Sequence, residues 1–380
     1  MLSRKINQLR EAQSIVINQE VYEKKRRGEK VITLSLGEAF FDIPDFGFDT
    51  IDFERGYHYS DTVGWPELRE NLVKYMRDVD QIHNLTTENI IISAGSKVLT
   101  YASMLAVLND GDEVLLHEPA WLSYEDQATL CSAKTTYIPY DVGLDSFEQY
   151  FSEKSKLIVI NNPNNPAGWI YQEQALRNLI KAADERGIYV LVDEAYSNFV
   201  RSNDGFTSAC NWVNEFDNLI VVNSMSKNFG MSGWRVGYLV SNPYFVKQMV
   251  KLNQHIITCA PTPLQMYLAK YLREIHQVCT NEIELLLEKR QQVANLFKQY
   301  NLKTLQGSAT FYFFVNIAQS RQTSEEFSLE LLQQHNIAVV PGSAYGHTTD
   351  GFIRLSFGTE TLADIESAIK IIAKKVRVID

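Results

Sequence analysis

An α/β protein with a mostly parallel sheet wrapped by helices is predicted from three observations. Short apolar runs alternate with helical patterns from about residue 88 to residue 240. Several runs end abruptly in glycine, asparagine, proline or acidic residues, as strands do on reaching the carboxyl edge of an open sheet, where ligands of such folds bind. The chain has 380 residues, 45% of them hydrophobic and 22% charged, which is ordinary globular composition and enough for a large core and two domains.

Residues 90–92, all isoleucine, read as a strand running into Ser93-Ala94-Gly95-Ser96-Lys97 and then a helical pattern through Leu108. Backbone amides at that helix start, with the Ser96 hydroxyl, make an anion site. The next strand, 114–117, leads to Glu118-Pro119-Ala120-Trp121, and Trp121 suits either stacking on a flat ligand ring or packing in the core. Residues 157–160 form a further apolar run that empties into Asn161-Asn162-Pro163-Asn164-Asn165-Pro166-Ala167-Gly168. Such density of proline and asparagine stops a strand and builds a rigid turn, from which Asn165 can reach a ligand. Val190-Leu191-Val192-Asp193-Glu194-Ala195-Tyr196 reads as a buried parallel strand that delivers a carboxylate to the sheet edge, although an Asp-Glu pair alone also suits a helix cap.

The last run of this region, 219–222, precedes Ser224-Met225-Ser226-Lys227, and Arg235 follows in Met231-Ser232-Gly233-Trp234-Arg235-Val236-Gly237. Serine hydroxyls and a guanidinium can bind a phosphate, and a lysine in a low-dielectric, positively charged pocket loses its proton easily. An aldehyde-bearing phosphate cofactor held as a Schiff base fits, and pyridoxal 5'-phosphate meets that description. Asp193 then pairs with the pyridine nitrogen, and Tyr196 and Asn165 address the ring's phenolic oxygen. Beyond residue 240 come a long helical pattern from about 264 to 300, short strands around 311–317, 338–340 and 353–356, and a closing helix from Leu362. With the N-terminal segment these make a smaller α+β domain able to close over substrate.

From about Val31 to the C-terminus the chain resembles the aminotransferase class I and II family, the fold type I pyridoxal-phosphate enzymes. Leu36-Gly37-Glu38-Ala39-Phe40-Phe41-Asp42-Ile43-Pro44 is similar to the family's Gly-Glu-Pro-Asp-Phe-Asp-x-Pro segment. Tyr59-Ser60-Asp61-Thr62-Val63-Gly64 with Glu67-Leu68-Arg69-Glu70 resembles its Tyr-x4-Gly-x2-Glu-Leu-Arg-Glu block, and Phe352-Ile353-Arg354-Leu355-Ser356-Phe357 its late arginine strand. The motifs at Gly95, Asn165, Asp193 and Lys227 fall between them in the family's order. The resemblance implies a seven-stranded sheet in a large domain over 46–270, with 1–45 and 271–380 as the small domain. It makes Lys227 the Schiff-base lysine and proton shuttle and Asp193 the partner of the pyridine nitrogen. Asn165 and Tyr196 serve the phenolic oxygen, and Trp121 stacks on the ring. Ser96, Ser224, Arg235 and the amides near Gly95 and Lys97 hold the phosphate. Tyr59 reaches the phosphate of the neighbouring subunit, which implies a homodimer with shared sites. Arg354 clamps the substrate α-carboxylate, with Gly37 and Asn165 assisting. Three departures stand out: Ala167 where threonine is usual, Ala39-Phe40 in place of Pro-Asp, and a varied Gly307-Ser308-Ala309-Thr310-Phe311-Tyr312.

The implied activity is transfer of an amino group between an L-amino acid and a 2-oxo acid in a ping-pong cycle. β-Elimination by a C-S lyase and a cofactor-binding regulatory role are the alternatives. Glutamate or aspartate is the expected donor. No arginine occurs between Arg235 and Arg273, where the distal-carboxylate residue of some members would be sought, and in a similar bacterial subgroup the lysine matching Lys97 takes that part. A net charge of −10 argues against nucleic acid. Lys24, Lys25, Arg26 and Arg27 read as the solvated end of the first helix. Cys131, Cys210, Cys259 and Cys279 have neither metal-site nor disulfide-framework spacing, so reduced, mostly buried thiols and no metal are expected. With no signal-peptide core and no apolar run near the roughly 20 residues of a spanning helix, a cytoplasmic protein is expected.

Overall fold

The computed structural model describes residues 2–9 and 13–377. The apolar runs become strands of a seven-stranded sheet. In chain order these are β1 (Ile90–Ser93), β2 (Glu113–His117), β3 (Lys134–Ile138), β4 (Ser155–Asn161), β5 (Tyr189–Asp193), β6 (Leu219–Ser224) and β7 (Gly237–Ser241). Across the sheet the order is β1-β7-β6-β5-β4-β2-β3. The pairs β2-β3, β2-β4, β4-β5 and β5-β6 are parallel, and β7 alone is reversed, antiparallel to both β6 and β1.

The central strands are apolar throughout because both faces of the sheet are covered. Ile158, Ile160, Val190, Val192 and Val221 point into one core, while Leu157, Val159, Leu191, Ile220 and Val222 point into the other. That alternation is the two-residue period of a strand read on two buried faces. β3 carries Lys-Thr-Thr-Tyr-Ile and buries only Ile138, since it lies at the edge of the sheet. It lacks the continuous apolar run by which its neighbours, and β1 at the opposite edge, are recognised.

A 38-residue helix, Thr262–Gln299, joins this body to a second core. Its helical geometry breaks at Tyr271 (φ −120°, ψ 15°), and farther along, between Cys279 and Ile283, its buried residues change partners. Leu272, Ile275 and Cys279 pack with the large sheet, whereas Ile283, Leu287, Val293 and Phe297 pack in the second core. There Phe352–Ser356 runs antiparallel between Tyr312–Asn316 and Val340–Pro341. The single strand expected at 338–340 is split. Ile337–Ala338 pairs in parallel with Ile32–Thr33, and Val340–Pro341 joins the three-stranded sheet. The N-terminal segment is thereby tied to the C-terminal part of the chain. The closing helix Leu362–Arg377 buries Ile365, Ile369, Ile372 and Val376 along one face.

One expectation is overturned. Lys24 is not solvated but 8% exposed, its ammonium donating to Glu29 (3.1 Å) and Asn336 (3.0 Å). The last turn of its helix docks against the residue that caps the neighbouring Ser324–His335 helix, so the aliphatic stem is covered.

Where the two bodies meet beside the Asn-Pro turn, backbone faces backbone. A Cβ on Gly168 would lie 2.4 Å from the Ala309 carbonyl oxygen, and one on Gly307 would lie 2.3 Å from that of Ala167.

Candidate active site

A cavity of about 550 Å³ lies between the carboxyl edge of the large sheet and the second core. β5 ends in Asp193, which is 6% exposed. Its Oδ2 accepts from the Tyr124 hydroxyl at 2.6 Å and its Oδ1 from the Ala195 amide at 3.0 Å. Burial raises its pKa, and these two bonds oppose the rise. Asp193 thus lines the cavity and caps no helix. Its neighbour Glu194 points away and accepts from Ser208 and the Ala209 amide.

β4 ends in Asn161, whose side-chain oxygen accepts from the Asn165 amide at 2.6 Å, fixing the turn that carries Asn165 into the cavity. Ala167, in the threonine position of the resembled family, is 1% exposed, and its amide donates to Asn164 Oδ1 at 2.9 Å. The turn is therefore held by asparagine side chains without a hydroxyl there. β6 ends in Ser224, which caps the short helix Met225–Asn228 by accepting from the Ser226 amide. Lys227 sits in that turn, and its Nζ donates to the Gly37 carbonyl at 2.5 Å. Burial lowers its pKa to about 8, Glu38 raises it, and Arg354, Arg235 and Lys97 lower it further.

Arg235 lies beside Gly95 and Ser96, the N-terminus of the Ser96–Val107 helix. Its φ of 54° is left-handed, a conformation that costs a non-glycine residue about 1 kcal/mol or more. A Cβ at Gly95 would come within 2.6 Å of the guanidinium, and one at Gly237 within 2.5 Å of the Ser96 amide nitrogen. Only glycine leaves the amides of this helix start and Arg235 open to the same space. Lys97 Nζ stands 4.9 Å from the centre of the Trp121 ring, and burial and then Arg235 lower its pKa.

From the second core come Arg354 and Tyr312. Arg354 is 4% exposed and donates to the Ser35 carbonyl (2.7 Å) and toward Asn165 Oδ1 (3.4 Å), while its Nε has no hydrogen-bond partner. Its guanidinium lies over the Tyr312 ring at 4.6 Å, and the Tyr312 hydroxyl meets that of Tyr196 at 2.9 Å.

Gly37, Ser96, Lys97, Trp121, Asn165, Asp193, Tyr196, Ser224, Lys227, Arg235 and Arg354 all line this one cavity, and Gly95 adjoins it. Tyr59 stands outside the cavity lining, 85% exposed at the surface. Sequence reasoning passed over Tyr124, Tyr312, Ser232 and Asn18, which also contribute. Tyr124 had a usable signal, since it follows Trp121 by three residues and lies on the same face of a helical turn. Asn18, brought in from the N-terminal helix by a bond from Ser35 (2.7 Å), had none.

The donor set fits pyridoxal phosphate. An open glycine turn, a helix start, Ser224 and Arg235 suit its phosphate; a buried carboxylate oriented by Tyr124 and the Ala195 amide, with lone pairs to spare, suits a protonated ring nitrogen; and a lysine with depressed pKa suits its aldehyde.

A family model described as aminotransferase class I and II matches residues 31–372. The aspartate aminotransferase of Pyrococcus horikoshii is 31% identical over 365 residues, covering 93% of this chain and 92% of the relative. The probable aspartate/prephenate aminotransferase of Aquifex aeolicus is 30% identical over 372 residues, covering 94% of each. The crystal structure of aspartate aminotransferase from Thermotoga maritima superposes with a TM-score of 0.85 at 27% identity, covering 98% of this chain and all of that one (100%).

Proposed function

The chain belongs to the aminotransferase class I and II family, and on that premise we propose how its own residues carry out pyridoxal-phosphate-dependent transamination. Bound pyridoxal phosphate supplies an aldehyde for the substrate amine and an electron sink that lets a proton leave the amino acid's α-carbon. Lys227 Nζ would take that proton from the substrate and hold it for return, acting near neutral pH because burial holds its pKa at about 8. Asp193 would keep the ring nitrogen protonated, Tyr196 and Asn165 would serve the phenolic oxygen, and Trp121 would offer a flat face to the ring. Ser96, Ser224, Arg235 and the amides at Gly95 and Lys97 bind the phosphate. Arg354 takes the α-carboxylate in a two-pronged bond, with Gly37 and Asn165 beside it.

The observation that carries this reading is the meeting of Lys227, Asp193 and Arg354, from distant parts of the chain, in one cavity. Borohydride reduction of the yellow protein should leave the cofactor's mass on the Lys227 peptide, and glutamate alone should convert the visible spectrum in one half-reaction. A label on another lysine would overturn the assignment. Release of pyruvate and ammonia without consumption of an oxo acid would favour β-elimination, which the aminotransferase relatives do not support.

Aspartate or glutamate is the proposed donor. Lys97 supports it, since among the described residues its ammonium rests on Trp121 with no carboxylate partner, and the relatives named above are aspartate aminotransferases. A homodimer is proposed as well: Tyr57 and Tyr59 are 81% and 85% exposed, an unusual state for two neighbouring aromatic residues of a monomer. The division into 46–270 against 1–45 with 271–380 is supported by the change of packing along the long helix. Four unbridged cysteines agree with the proposed cytoplasmic location.

A further inference from the structure

Lys227 faces an unusual balance of charge. Lys97, Arg235 and Arg354 all oppose its proton, from the Ser96–Val107 helix, the 232–235 turn and the late strand. Asp193 and Tyr196 at the end of β5, and Tyr312 from the second core, complete the ring of titratable groups around it. Asp193 is committed to Tyr124 and the Ala195 amide. That leaves Glu38 as the carboxylate whose charge favours protonated Lys227.

Glu38 also spans the two bodies of the molecule. Its backbone belongs with the second core: a Cβ on Gly358 would lie 2.6 Å from its carbonyl oxygen, and Ala39 is buried there. Its carboxylate accepts from the Ser232 hydroxyl, in the turn that carries Arg235. The Ser232 carbonyl in turn accepts from Arg235 at 2.8 Å. Immediately before it, the Gly37 carbonyl accepts from Lys227 Nζ. One dipeptide thus holds the lysine and the phosphate-side turn together.

We propose that Glu38 is a positioning residue of the transamination, latching the 36–44 segment to Ser232 over the cavity and helping Lys227 keep its proton between removal and return. A general base surrounded by three cations and no counter-charge would release its proton too readily to deliver it, so a neighbouring carboxylate restores the match to working pH. This inference rests on Lys227 being the proton-carrying lysine.

The test follows acylation of Lys227 against pH by peptide mass spectrometry in cofactor-free protein, beside steady-state kinetics of the holoenzyme. Wild type should show a midpoint about 8. Glu38→Gln, which keeps an acceptor for Ser232 but loses the charge, should lower the midpoint by about half a unit or more, a threefold change in the equilibrium. Glu38→Asp should return it toward wild type. Ser232→Ala, which loosens the latch but keeps the charge, should move the midpoint less than Glu38→Gln does and raise KM several-fold. A midpoint unmoved in Glu38→Gln, or moved equally by Ser232→Ala, would overturn the proposal. Borohydride labelling away from Lys227 would instead overturn the assignment beneath it.

Discussion

The two walls of the cavity are built on different terms. On the sheet side, Asp193 and Ser224 sit at strand ends and Asn165 in the turn after one, the Asp193 carboxylate held by Tyr124 and the Ala195 amide and the backbone amides of Asn165 and Ser224 by Asn161 and Asn223. On the opposite side a donor is left over: among the described residues Arg354 Nε has no hydrogen-bond partner although the residue is buried. Lys97, at the sheet-side rim, shares that condition, its ammonium resting among the described residues on the Trp121 ring face. A satisfied wall is rigid before anything binds, and spare charged donors in a partly dry cavity gain most from an anionic partner. The contrast separates a chemical wall from a recognition wall.

Lys227→Ala tests the chemical wall and carries the largest expected effect. Turnover should fall by roughly 10²- to 10⁴-fold, while cofactor binding measured by fluorescence persists through the phosphate contacts. A mainly raised KM would break the contrast. Arg354→Lys tests the recognition wall: kcat/KM should fall roughly 10- to 150-fold for every amino acid, as a planar fork is exchanged for a point charge, with the cofactor spectrum unchanged. If simple amines lacking a carboxylate react as well as amino acids in wild type, Arg354 has been misassigned.

Lys97→Ala sharpens the picture further, raising KM about tenfold, or 1.4 kcal/mol, for acidic donors and sparing aromatic and aliphatic ones. Equal losses for all donors would move Lys97 to the phosphate side. The smallest effect belongs to Tyr59→Phe, where cofactor retention should weaken by about 0.5–1.5 kcal/mol in equilibrium dialysis. A fully active monomer in the ultracentrifuge would remove the reason for any effect at all.

The chemical wall was also the more legible one. Strand, turn and functional residue are contiguous in 157–168, 190–196 and 219–235, so an apolar run and its abrupt end mark both the element and its cargo. The opposite side is assembled from 35–38, 312 and 354, and only the two-body packing brings them together. Arg354 is marked by a family motif; Glu38 lies in the 36–44 segment with nothing local to give it a partner. Ser232 likewise needed the cross-contact to acquire meaning. Edge strand β3 and buried Lys24 escaped for a related reason, since composition reports average solvation and not which neighbour covers a residue.

The seam at Gly168 and Gly307 has a consequence for the chain's capacity to change. With carbonyl oxygens 2.3–2.4 Å from where a methyl would stand, neither glycine can accept even alanine without parting the two bodies. Both positions should be among the emptiest rows in a library of all single substitutions selected for activity, however diverse the surrounding cavity proves. New substrate preferences can then arise at the cavity wall around Lys97 and Trp121, while the joint beneath stays closed to variation.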